Sequence, residues 1–175
     1  MINKIIVATS GASGVNLGLK TLELLPKDIE KHLIMSQNSQ TVLEKEMNNV
    51  IVHNNDDISA SIASGSFGVD AMIIAPCSMN TLAKIACGIS DNLVTRSASV
   101  MIKEQKKLIL APREIPFSAI ALENMHKLAS LGIIIAPPVI AYYSEQQTLE
   151  EMENFIIGKW FDLLGIQNSL YKRWQ

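Results

Sequence analysis

Aromatic residues are scarce in this chain, at 5% of 175 residues. Any core must therefore be filled by Ile, Leu, Val, Met and Ala, within a hydrophobic share of 48%. A chain of this length can bury one such core, and residues 1–175 read as one domain. Charge of one sign is missing too. A formal net charge of −2 provides no basic field for nucleic acid or an anionic membrane surface. Cysteine is limited to Cys77 and Cys87, which lack the Cys-x-x-Cys spacing of a metal clip, so no metal is expected. No apolar run has the length of a membrane span. The opening MINKIIVATSG lacks the apolar region and cleavage site of a secretory signal. These absences predict a soluble cytoplasmic protein with reduced thiols.

What the chain does have is rhythm. Short apolar runs occur at Ile5–Ala8, Leu33–Met35, Met72–Ala75, Leu108–Ala111 and Ile133–Ala136, with a weaker one at Val50–Val52. Between them lie segments of helical period: Val15–Leu25, Ser39–Met47, Thr81–Ala86, Leu93–Gln105, Ala119–Leu131 and Leu149–Leu164. Continuous apolar strands separated by helices predict a parallel sheet covered on both faces. Right-handed crossovers then give a doubly wound, mostly parallel α/β sandwich of three layers. The Ser- and Gly-rich stretch Asp56–Gly68 reads as a loop with at most one helical turn.

Each apolar run leads into small, polar or proline-marked residues: TSGASG, SQNSQ, PCSMNT, PREIPFS and PPVIAYYS. In a parallel sheet these exits share the carboxyl edge, where open α/β folds bind ligands. In the first exit, Gly11 and Gly14 allow a tight turn and close backbone approach, and the helix that follows offers free N–H groups to an anion. The spacing is not Gly-x-Gly-x-x-Gly, and no acidic ribose reader follows the second strand, which argues against a dinucleotide. A catalytic thiol at Cys77 needs a base, and the three histidines, His32, His53 and His126, fall outside the carboxyl-edge exits. Ser78 and Thr81 bracket a helix start, so PCSMNT reads as a cradle that works by hydrogen bonds.

Charge and rings gather in the remaining loops. Arg96 and Lys103, seven apart, share a helical face. Arg113 and Glu114 stand at a strand exit, where a guanidinium suits phosphate and a carboxylate suits proton handling. Tyr142 and Tyr143 mark another exit, and Lys159, Trp160, Arg173 and Trp174 lie near the end, with Trp160 expected in the core. Cations with aromatics around a crevice suggest a phosphorylated ligand with an unsaturated or cationic part.

With TSGASG, APCSMNTLAKIACGISDNLVTRSASV, KEQKKLILAPREIPFSAIALENMHKLASLGIIIAPP, AYY and LLGI…RW assembled, the chain resembles the UbiX-type flavin prenyltransferases over nearly its whole length. The resemblance implies a flavodoxin-like or Rossmann-like fold and a homo-oligomer, typically a dodecamer. It implies prenyl transfer from dimethylallyl monophosphate to N5 and C6 of reduced FMN without a metal, the product serving a UbiD-type decarboxylase. By position, it assigns Gly11, Ala12, Ser13, Ser36, Ser78, Met79, Asn80, Thr81 and Arg113 to FMN. Arg96, Lys103, Glu114, Tyr143 and Lys159 would surround the prenyl phosphate, with Glu46 and Trp174 at further active-site positions. Lys159 stands where many relatives carry arginine, so it keeps the charge but loses the bidentate fork. Two other readings compete. A flavin-dependent cysteine decarboxylase needs a histidine before the PxSxNT-like loop, and DDISASIASGSFGVDAMIIAP has none. A non-catalytic flavin store would have no use for Arg96, Lys103, Glu114 and Lys159 together.

Overall fold

Apolar residues run without alternation along β1 (Lys4–Ser10) and β4 (Ala71–Cys77), and both strands are buried almost throughout. Such strands need cover on both faces, and they receive it. The computed structural model describes residues 1–11, 13–35 and 49–174. The predicted helix at Ser39–Met47 lies outside them. The six strands are completed by β2 (Glu30–Met35), β3 (Val50–Asn54), β5 (Lys107–Pro112) and β6 (Ile134–Ile135). Their order is β3-β2-β1-β4-β5-β6, and every pairing is parallel. The sheet is thus wound in both directions from β1, as the alternating pattern predicts.

Among the described residues are five α-helices: α1 (Val15–Leu24), α2 (Met79–Ala86), α3 (Leu93–Lys103), α4 (Ala119–Ser130) and α5 (Leu149–Leu164). Side chains alternate between two cores. Ile5, Val7 and Ile73 pack with Val15, Leu19, Phe155, Trp160 and Phe161 of α1 and α5. Ile6, Ala8, Met72 and Ile74 pack with Leu82, Val94, Met101 and Leu128 of the other three helices. Trp160 is in the core, as predicted, and its indole donates to Ala136 O at 3.1 Å. The pairing of β6 covers only Ile134–Ile135, shorter than the apolar run. Conversely β2 begins at Glu30, ahead of its apolar part, because buried Lys31 donates to Leu22 O and Leu25 O at 3.2 and 2.9 Å. Those carbonyls close α1, where a cation is favoured. The Asp56–Gly68 stretch holds two 3-10 turns, Ser61–Ala63 and Gly65–Phe67, instead of one.

Candidate functional site

Chain winding reverses between β1 and β4, so the crevice outside their carboxyl ends is the favoured ligand position. Two loops face each other there. Ser10 Oγ joins them, accepting from Ser78 N at 3.1 Å and donating to Pro76 O at 3.4 Å. Gly11 and Gly14 have φ of 140° and 90°, which side chains rarely adopt. A Cβ on Gly14 would stand 3.8 to 3.9 Å from the Pro76 ring and Arg113 Cδ, in space the glycine leaves open. Gly14 caps α1 without a side-chain hydrogen bond, and the first turn carries no acid. Its leading N–H groups therefore remain available to an anion. Arg113 has no ion-pair partner among the described residues, so its guanidinium is free to join them. Ser13 is exposed beside it.

Across the crevice, the hydroxyls of PCSMNT are less available than the sequence suggests. Ser78 Oγ accepts from Thr81 N at 3.2 Å and donates to Thr81 Oγ1 at 3.0 Å. Both are occupied in capping α2, leaving Met79 and Asn80 backbone N–H groups and the exposed Asn80 side chain for a ligand. Cys77 is buried, and desolvation pushes its thiol up to about 12, against a weaker hydrogen-bond effect of Ser10. It is a packing residue, not a nucleophile.

Beyond Arg113 the crevice opens into a groove of about 430 Å³ lined by Pro112, Glu114, Ile115, Phe117, Pro137, Pro138 and Val139. Its walls are apolar apart from Arg113 and Glu114, which suits a short hydrocarbon carrying a charged end. A larger groove, about 780 Å³, lies at the opposite edge beside Asp70 and Lys107. There Lys107 Nζ donates to Leu164 O at 2.8 Å, and Asp70 accepts from Asn3 N and Lys4 N. The smaller groove lies at the carboxyl edge, where open α/β folds bind ligands.

The other predicted residues do not all reach this crevice. Tyr143 and Trp174 meet edge to face, with centroids 5.4 Å apart, and Tyr143 also rests against Phe155. Lys159 lies a turn beyond Phe155, its Nζ 5.9 Å from the Tyr171 ring. Helix α3 starts at the carboxyl edge, where Leu93 N and Val94 N donate to Asn55, and runs back. Arg96 is in its first turn, exposed. Lys103 is its last residue, four before β5 begins, and pairs with Glu104. Six strand residues span about 20 Å, so Lys103 and Arg113 stand at opposite ends of β5. Lys103 and Glu114, expected around one prenyl phosphate, are therefore not brought together within a single copy. Ala12, Ser36 and Glu46 lie outside the described residues. No group of three His, Cys, Asp or Glu among the described residues could hold a metal ion.

Known proteins resemble this chain over nearly its whole length. The Flavoprotein family matches residues 2–160. The flavin prenyltransferase UbiX of Helicobacter pylori strain J99 is 49% identical over 183 residues, covering 98% of each chain. A dodecameric FMN-dependent UbiX-like decarboxylase from Escherichia coli O157:H7 superimposes with a TM-score of 0.89 at 39% identity, covering 98% of this chain and 99% of that one. AnUbiX, solved with FMN and dimethylallyl pyrophosphate, gives a TM-score of 0.91 at 37% identity, covering 100% and 98%.

Proposed function

Because this chain belongs to the Flavoprotein family and, within it, to the UbiX-type flavin prenyltransferases, we propose that it joins a dimethylallyl group from dimethylallyl monophosphate to N5 and C6 of reduced FMN. The observation that carries this reading is Arg113, without an ion-pair partner among the described residues and set beside the open N-terminus of α1 at the β1–β4 reversal. A flavin phosphate fits there, held by Gly11, Ser13, Gly14 and the guanidinium. The Ser78–Thr81 loop borders the ring through Met79 and Asn80 N–H groups. Reduced flavin, when bound, supplies the nucleophilic ring atoms.

The protein's own work is electrostatic. Glu114, exposed beside Arg113, is the carboxylate suited to accept a proton. Departing phosphate gathers charge that Arg96, Lys103, Lys159 and Tyr143 can offset, while the Trp174 ring faces the allylic cation. Because Lys103 stands at the far end of β5, it serves the crevice of a neighbouring copy. The E. coli relative is dodecameric, and the same closed assembly is proposed here. No described helix is long and apolar enough to cross a membrane. Cytoplasmic synthesis for a UbiD-type decarboxylase completes the proposal.

Anaerobic incubation with reduced FMN and dimethylallyl monophosphate tests it. Mass spectrometry should find flavin heavier by one dimethylallyl unit. Tight flavin binding with no mass gain identifies a flavin store and overturns the reading.

A further inference from the structure

After α5 the chain turns at Gly165 and folds back along the helix it has just left. Three side chains of this returning segment converge on Asp162. Tyr171 donates its hydroxyl to Oδ2 at 2.5 Å, and Asn168 Nδ2 donates to Oδ1 at 2.9 Å. Arg173 forks onto both oxygens at 3.0 and 2.8 Å. Gly158, one turn earlier, makes room for the clasp. A Cβ there would lie 2.6 Å from Tyr171 Cδ1, so only glycine lets that ring lie flat against the helix. Glycine inside a helix is unfavourable relative to alanine, and the seated ring is what offsets it. Phe155 meets Tyr171 edge to face at 5.0 Å from the other side.

The segment ends on Trp174, which is 77% exposed and rests on Tyr143. An edge contact of this kind does not hold an exposed ring alone. The Lys172–Glu145 pair at 3.1 Å is exposed on both sides and adds little. The restraint lies at Asp162, where burial opposes ionisation but bonds from Arg173, Tyr171 and Asn168 outweigh it and hold the carboxyl below its usual range.

We propose that Asp162 is a positioning residue: it fastens Ile166–Trp174 onto α5 and so holds Trp174 against Tyr143, forming the wall on which the allylic phosphate substrate closes. This rests on the reading that Tyr143 and Trp174 serve that substrate. Asp162, Asn168, Tyr171 and Arg173 are not among the residues assigned to flavin or to the prenyl phosphate. Loss of the clasp should therefore change substrate affinity and leave flavin binding intact.

The test uses the full assembled protein carrying Asp162→Asn or Gly158→Ala. The second variant keeps the carboxylate and favours helix, but its Cβ would meet the Tyr171 ring at 2.6 Å and Asn168 Oδ1 at 3.0 Å, so it loosens the clasp from the other side. Hydrogen exchange of the 166–174 peptide should accelerate in both. KM for dimethylallyl monophosphate should rise about tenfold or more with FMN affinity near wild type, and Asp162→Glu should recover part of the loss. Unchanged exchange in both variants overturns the proposal. Trp174→Ala separates the remaining failures. If it raises KM while the clasp variants do not, Asp162 positions nothing. If Trp174→Ala leaves KM unchanged, the assignment of Trp174 to the substrate is what fails, and the proposal falls with it.

Discussion

His53 meets His32 across the β2–β3 ladder, with 2.9 Å between Nε2 and Nδ1. Glu30 Oε1 lies 2.9 Å from His32 Nε2, so the carboxylate accepts from Nε2–H and leaves Nδ1 to accept from His53. His32 is buried and serves packing. The pair has a pH consequence. Burial, then the neighbouring His32, lowers the His53 pKa from its ordinary 6.5, against a smaller opposing effect of Asp57. Just below pH 6.5 the unfolded chain therefore binds more protons than the folded one. Stability contributed by neutral His53 is complete above 6.5 and is lost as pH falls through the lowered value. Thermal unfolding from about pH 8 to pH 5 should show Tm falling on the acid side. His53→Gln, which retains a donor toward His32 but cannot titrate, should flatten that slope. An equal slope in both proteins assigns the acid sensitivity elsewhere.

Helix α1 owes its place on the sheet to Gly18. A Cβ there would stand 2.2 Å from Ala75 O and 2.9 Å from Thr9 Cγ2, and the carbonyl belongs to the central strand β4. Neither backbone can yield without disturbing the sheet. Gly18→Ala gains helix propensity of about 1 kcal/mol, but overpacking against a rigid wall costs about 1–3 kcal/mol and occasionally more. With the immovable carbonyl at 2.2 Å the clash should win, by up to about 2 kcal/mol. Denaturant titration should show a lower midpoint, and FMN titration should show weaker binding, because the N-terminus of α1 moves away from Pro76 and Arg113. A midpoint at or above wild type shows that α1 can slide freely. By contrast α3 and α5 are set by local chemistry. Asn92 with Thr95, and Thr148 with Glu151, form reciprocal caps at their starts.

At the scale of the molecule, Lys103 and Arg113 are the decisive pair. They stand at opposite ends of β5, and no side-chain rotation closes a gap of about 20 Å. If both act on one substrate, they come from different copies. Loss of such an electrostatic donor costs about 100- to 1000-fold in turnover, so Lys103→Ala and Arg113→Ala should each be nearly inactive. Co-assembled in equal amounts, the two variants should regain about a quarter of the wild-type sites, since each intact site needs one copy of each kind. Single-turnover prenylation of the mixed assembly measures this. No recovery on mixing would mean that Lys103 is a solvated cation with no part in the site.

How far these features were legible in the chain follows from their range. Ile5–Ala8, Met72–Ala75 and Leu108–Ala111 announced buried parallel strands because a continuous apolar run is a local signal. Gly11 and Gly14 announced a turn into a helix for the same reason, and β2 begins ahead of its apolar run where Lys31 reaches the carbonyls that close α1. The likeness of PCSMNT and PREIPFS to a family pointed to flavin and an allylic phosphate. Nothing local shows that β1 is flanked by β2 and β4, which creates the crevice, or that Lys103 ends at the far edge. Asp162 lies in an unremarkable helical stretch and gains its role only when Asn168, Tyr171 and Arg173 turn back on it. Local pattern decides what each segment becomes, because periodicity and caps act within a few residues. Which segments meet depends on burying surfaces distant in sequence, and only the packed chain decides that.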